Sequence, residues 1–243
     1  MTYKTSITDI KDGKEIIRGH MLKDLIKEKS FVETIFLILK GEMPTENETR
    51  MLNAIFTAAI DHGPGTASGQ VARITASAKN SMHVSLAAGI LAMGERHGSA
   101  IEGASSFFQK EITNSKLQIQ NLIKKLKEEK VRVPGYGHPF FDHDERSDLL
   151  FALAKELGIY GDHCTFAESF HTELNLVSSK KLALNIDGSM GAIISDMGFD
   201  WRMAKGFFII ARVPGLIAHI YEEQMNDVGI RRIPQEEVEY MGV

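Results

Sequence analysis

Apolar residues recur at helical spacing from about residue 20 to residue 225, and β-type patterning is confined to the segment before it. Residues 2–18 read as extended chain. Thr5, Ile7, Thr8 and Ile10 precede Lys11-Asp12-Gly13, and Ile16 and Ile17 follow. Asp-Gly between β-branched runs predicts a short hairpin or an irregular arm. Phe31, Ile35, Leu37, Ile38 and Leu39 then predict a short helix buried all round, with Gly41 at its C-cap. Thr45 and Glu48 have the spacing of a capping box. Met51, Leu52, Ile55, Phe56 and Ala59 supply the apolar face of the helix they open. Further helices are predicted over about 66–78, 83–94, 100–110, 114–130, 146–157, 161–178, 188–197 and 200–225. Residues 111–130 read as a solvated helix with one packed face.

Glycine and proline break this pattern at four places that also hold histidine or aspartate. They are DHGPGTASG at 61–69, RHGSAIEG at 96–103, VPGYGHP at 133–139 and NIDG at 185–188. Glycine lets a backbone approach a ligand closely, and helix N-termini offer free N–H groups to an anion. Such junctions can converge on one anionic ligand in a cleft. His62, His97 and His138 lie in them. His219, in an apolar helix, reads first as a core histidine.

With 243 residues, 43% of them apolar, the chain can bury a large core as one domain, or as a main domain with a small lobe. Cys164 is the only cysteine, so no internal disulfide forms. The net charge is -4 with both signs interspersed, which argues against a general nucleic-acid-binding face. The N-terminus lacks a signal-peptide core, and no uninterrupted apolar run approaches the roughly 20 residues that span a bilayer. The expectation is a soluble, cytoplasmic protein with neither nucleic-acid nor membrane partners. HExxH, CxxC, GxSxG, GxxxxGK[ST] and GxGxxG are all absent.

The four junctions, in this order, resemble the citrate synthase superfamily. The likeness begins with TSITDIKDGKEIIRGHMLKDL, continues through FVETIFLILKGEMPT, DHGPG, HGSAIEG, VPGYGHP and NIDG, and ends with IARVPGLIAHIYEE. The resemblance implies an all-α, citrate synthase-like fold over 1–243, with a small lobe around 98–190. It implies that His97, His138 and Asp187 are catalytic. By this likeness His97 holds the thioester carbonyl oxygen, His138 bonds the ketone or hydroxyl oxygen, and Asp187 exchanges the proton on the acetyl carbon. It also implies that His62 binds the oxaloacetate part and that Arg146, Arg212 and Arg232 bind substrate carboxylates, Arg232 in the site of a partner subunit. Val133, Gly135 and Tyr136 become contacts for coenzyme A, which enters as thioester substrate or product. No metal or nucleotide cofactor is implied.

Departures from the synthase pattern narrow the expectation. Ala59 stands where synthases carry a histidine, Gly63 follows His62, Pro139 follows the GYGH segment, and the DPR turn reads Asp144-Glu145-Arg146. The DHGP and IARVPGLIAHIYEE strings resemble stand-alone citryl-CoA lyases and the corresponding module of ATP-citrate lyase. The implied reaction is cleavage of citryl-CoA to oxaloacetate and acetyl-CoA by a homodimer or higher homo-oligomer. The alternatives are a citrate or 2-methylcitrate synthase, and a non-catalytic subunit of a citrate-cleaving complex.

Overall fold

The computed structural model describes residues 2–95, 97–98, 100–113, 115–137 and 142–242. Three short strands, β1 (Thr8–Lys11), β2 (Lys14–Ile17) and β3 (His20–Met21), form an antiparallel sheet in that order. Asp12 and Gly13 both have positive φ, 53° and 71°, as a tight hairpin turn requires. The two-residue β3 is too short to show a period in sequence. Arg18 ties the sheet to the helices by donating from Nε and Nη2 to the Ile38 carbonyl.

The helices follow as α1 (Leu22–Glu28), α2 (Phe31–Lys40), α3 (Glu46–Ala59), α4 (Ala67–Ser77), α5 (Met82–Leu91) and α6 (Ala100–Glu111). Then come α7 (Lys116–Glu128), α8 (Glu145–Glu156), α9 (Asp162–Val177), α10 (Ile186–Asp196) and α11 (Ala204–Asn226). The Thr45–Glu48 capping box forms as its spacing predicts. So does a second box between Ser30 and Glu33. The expectation that the 31–39 helix is buried all round does not hold. Phe36 and Leu37 are enclosed, but Phe31 is 79% exposed, because α3 covers only one side of α2.

Two helices organise the interior. α10 is buried along its whole length from Gly188 to Ser195 and packs on α6, α8 and α9. That explains its continuous apolar composition, Met-Gly-Ala-Ile-Ile. α11 packs on α3, α4, α5 and α6. With the 3₁₀ turn Trp201–Met203 before it, α11 is long and apolar enough on average to cross a membrane. Yet it carries Arg212 and Glu223 buried at 5% and 2% exposure, and both are paired within the fold.

α11 also fixes the junction that follows α3. Arg212 Nε donates to the Ala59 carbonyl at 2.9 Å, and His219 Nε2 lies 3.1 Å from the Asp61 carboxylate. Between them Gly215 faces the Ile60 carbonyl so closely that a Cβ there would sit 2.5 Å from the oxygen. Residues 212, 215 and 219 share one helix face. His219 is therefore partly buried and hydrogen-bonded to Asp61 rather than enclosed in the core. Gly215→Ala is expected to destabilise the fold by roughly 1–3 kcal/mol, the usual cost of overpacking. Chemical denaturation of wild type and variant measures it.

Candidate active site

All four glycine-rich junctions contribute described residues to one cleft of about 780 Å³. That size is typical of small-molecule sites. Its walls include His62 and Thr66 from the segment before α4, His97 and Gly98 between α5 and α6, and Val133 to Gly137 between α7 and α8. Arg132, Arg146, Asp187, Phe208 and Arg212 also line it. Arg232 lies elsewhere, in a groove with Arg73 and Arg231. His138 lies outside the described residues.

Asp187 sits in the first turn of α10, whose N-cap is Asn185. The helix begins at Ile186, two residues earlier than its apolar pattern suggests, because the Asn185 side chain accepts from Gly188 N at 3.1 Å. The same side chain donates to the Gly137 carbonyl at 2.7 Å. The loop 135–137 is further joined to 183–185 by Asn185 N to Gly135 O at 2.9 Å and Gly137 N to Ala183 O at 2.6 Å. Two glycines make this approach possible. A Cβ on Gly135, where φ is +90°, would lie 2.8 Å from Gly188 Cα, and one on Gly188 would lie 2.6 Å from Gly135 O. Glycine here serves contact between backbones, bringing the VPGYG loop against the helix that carries Asp187.

Burial pushes the Asp187 carboxyl up to about 6. Arg146 and Arg212 pull it down, and Asp144 adds a smaller upward push. Among the described residues Asp187 Oδ1 is buried without a hydrogen-bond partner. An ionisable group with an unfilled acceptor in a cleft is poised to exchange a proton.

Arg146 and Arg212 are held in different ways. Asp144, 5% exposed, accepts from Arg146 Nε and Nη2, both at 2.9 Å, and from Ile186 N at 2.9 Å. One carboxylate thus orients the Arg146 fork and caps the start of α10 beside Asp187. Burial raises the Asp144 pKa, and the bonds from Arg146 more than offset this. The Arg212 guanidinium lies over the Phe208 ring at 4.8 Å. Two guanidiniums beside a cleft suit an anionic, carboxylate-bearing ligand.

His97 Nε2 lies 2.8 Å from the Ser68 hydroxyl, and Ser68 is fully buried in the first turn of α4. Burial lowers the His97 pKa, as do the neighbouring Arg212 and His62, so the ring is neutral near pH 7. Its edge meets Phe208. When Ser68 donates to Nε2, the ring's one N–H falls on Nδ1, where it can serve a ligand oxygen. Sequence reasoning missed Ser68, which looks like any small residue in an ASG turn. It also missed Asp144, whose only signal was its place two residues before Arg146.

Val133 and Gly135 line the cleft. Tyr136 lines it too, but its ring is 8% exposed and its hydroxyl donates to the Ala167 carbonyl at 3.0 Å. Its phenol therefore serves the core. No cluster of three or more His, Cys, Asp or Glu that could hold a metal ion occurs among the described residues.

Residues 44–233 match the model of the citrate synthase C-terminal domain. The chain belongs to the citrate synthase family. The structure of citryl-CoA lyase from Hydrogenobacter thermophilus is 45% identical, with a TM-score of 0.94, covering 100% of this chain and 96% of that one. ATP citrate lyase from Methanothrix soehngenii, solved with citrate and coenzyme A, is 25% identical with a TM-score of 0.85 over 100% of this chain and 42% of that one. ATP-citrate synthase beta chain protein 2 of Arabidopsis thaliana is 27% identical over 97% of this chain. The chain spans about two-fifths (41%) of that relative's length.

The raised Asp187 pKa fixes the sign of a stability effect. Asp187 binds its proton more tightly when folded. Its favourable contribution is therefore complete below the unfolded value near 3.8 and is lost as pH rises through about 6. Asp187→Asn, which carries no charge, is expected to exceed wild-type stability by about 2–3 kcal/mol at pH 8. The gap closes as pH falls towards 4. Urea unfolding across this range measures it.

Proposed function

We propose that this chain is a citryl-CoA lyase, cleaving citryl-CoA to oxaloacetate and acetyl-CoA. The observation that carries the reading is Asp187. It is a buried carboxyl near pKa 6 on a cleft shared with His62, His97 and three arginines, two of which, Arg146 and Arg212, act on its charge. The full-length likeness to a citryl-CoA lyase supports the choice of reaction within the family.

In this scheme Arg146, Arg212 and His62 bind the carboxylates of the oxaloacetate portion. His138, assigned from sequence, takes the proton of the tertiary hydroxyl. The oxygen's electrons form the ketone as the carbon–carbon bond breaks, and the bonding pair passes into the enolate of the thioester. The His97 N–H stabilises the enolate oxygen, a contribution on the order of 3–4 kcal/mol. Asp187 gives its proton to the enolate carbon and releases acetyl-CoA. Val133 and Gly135 lie along the coenzyme A portion, and the cytoplasm, where these metabolites meet, is the proposed location. Condensation, as in a synthase, runs through the same groups in reverse.

We further propose a homodimer or a multiple of it, in which Arg232 serves the neighbouring copy. Arg232 stands outside its own cleft. Exposed Ile74, Leu91 and Tyr221 on α4, α5 and α11 offer apolar surface for association. An active monomer in sedimentation would sink this proposal.

The test follows oxaloacetate release from citryl-CoA by coupled reduction with malate dehydrogenase and NADH. Wild type is expected to release it without ATP, and Asp187→Ala to lose at least about 1000-fold in kcat, a barrier increase of roughly 4 kcal/mol. Equal activity in the variant would remove Asp187 from the mechanism. The limb of kcat/KM due to Asp187 should have opposite signs in the two directions. Cleavage needs the protonated acid and declines as pH rises through about 6. Condensation needs the carboxylate and gains over the same interval.

A further inference from the structure

Helix α9 lends no described residue to the cleft, yet both walls of the Asp187 junction are fastened to it. Ala167, His171 and Asn175 recur every four residues along α9 and share one face. The Ala167 carbonyl accepts from the Tyr136 hydroxyl at 3.0 Å. The His171 ring stacks on the Tyr136 ring, with centroids 6.2 Å apart and planes at 26°. One turn further on, Asn175 holds Leu182 by both of its backbone polar groups. Leu182 N donates to Asn175 Oδ1 at 2.8 Å, and Asn175 Nδ2 donates to the Leu182 carbonyl at 3.0 Å. His171 Nε2 lies 2.6 Å from the same carbonyl. A carbonyl can only accept, so Nε2 carries the hydrogen, and both lone pairs of the Leu182 oxygen are used.

A side-chain amide has the donor and acceptor of a peptide group, so Asn175 does for Leu182 what a neighbouring strand would do. On its other side the same segment pairs with the 135–137 loop. Gly137 N donates to Ala183 O at 2.6 Å, Asn185 N donates to Gly135 O at 2.9 Å, and Tyr136 and Leu184 form an isolated antiparallel bridge. Neither helix nor strand ladder fixes the chain between α9 and α10. Leu182 lies three residues before Asn185, the N-cap of α10, and five before Asp187. A shift of Leu182 therefore passes straight to the cap and to the carboxyl behind it.

We propose that His171 and Asn175 are positioning residues for the reaction. By gripping Leu182 from α9 they set the approach of the 135–137 loop to the helix start that carries Asp187. Neither side chain lines the cleft. Their effect on turnover rests on the lyase reading, and their effect on the surroundings of Asp187 does not.

The experiment compares the full chain with Asn175→Leu, His171→Leu and His171→Gln, and with Thr45→Ala, which removes the N-cap of α3 outside the cleft. Glutamine brings its amide nitrogen to where the imidazole Nε2 stands and keeps the donor, whereas leucine has none. The first readout is ¹³C titration of the Asp187 carboxyl. Water admitted beside α10 weakens the burial that raises this group. Its midpoint is expected to fall below about 6 in both leucine variants and to keep the wild-type value in His171→Gln and Thr45→Ala. The second readout is oxaloacetate release from citryl-CoA. A loss in kcat of at least about ten-fold is expected in Asn175→Leu and a smaller one in His171→Leu, with KM changed by less than about three-fold. His171→Leu keeps the test in force if Asn175→Leu does not fold. Three results would overturn the proposal: midpoints unchanged in the leucine variants, a loss in His171→Leu that His171→Gln does not restore, or an equal loss in Thr45→Ala. The last would show that stability alone is responsible. Should the wild type release no oxaloacetate, the lyase reading fails and the midpoints still decide the positioning role.

Discussion

Keeping the Asp187 carboxyl ionised inside the fold costs several kcal/mol, and the neighbouring helices reduce that cost without removing it. Arg146 and Arg212 attract the charge from α8 and α11, while Asp144 opposes them from the turn before α8. The balance leaves the group titrating near 6, between a fully stabilised carboxylate and a permanently neutral acid. A proton can then leave or return to carbon chemistry at a tolerable cost. The other features of the cleft follow from this constraint. α10 must be buried to exclude water, the 135–137 loop must lie against it, and glycine must stand at both 135 and 188 for the backbones to meet.

The two arginines are held by different means. Arg146 owes its direction to a carboxylate that also caps α10, so its orientation is coupled to the helix bearing Asp187. Arg212 owes its direction to a carbonyl at the end of α3 and to the Phe208 ring. The cleft thus draws its charges from both major helix groups. Movement of one group against the other would alter the positions of both guanidiniums relative to Asp187.

Much of this was legible in the sequence because its signals are local. Asp12-Gly13 marks a hairpin, Thr45 and Glu48 mark a helix start, and glycine beside His62, His97 and Asp187 marks helix ends that open onto one cleft. Long-range partnerships left no such mark. Ser68 meets His97 across 29 residues, and Asp144 meets Ile186 across 42. Neither contact has a period or a motif. Tyr136 lines the cleft, but the hydrogen bond from its hydroxyl to the Ala167 carbonyl, 31 residues away, likewise has no local mark. Phe31 misled because an apolar helix at the edge of a fold shows the same composition as one at its centre.

Site-specific NMR of the carboxyl carbons in ¹³C-labelled protein, with Asp187→Asn to assign the resonance, tests the central claim most directly. The account predicts that Asp187 titrates with a midpoint near 6 in the free protein. A midpoint at the ordinary aspartate value of about 4 or below would contradict it. The cleft would then hold a fully stabilised carboxylate, and the proton exchanged with carbon would have to come from another group.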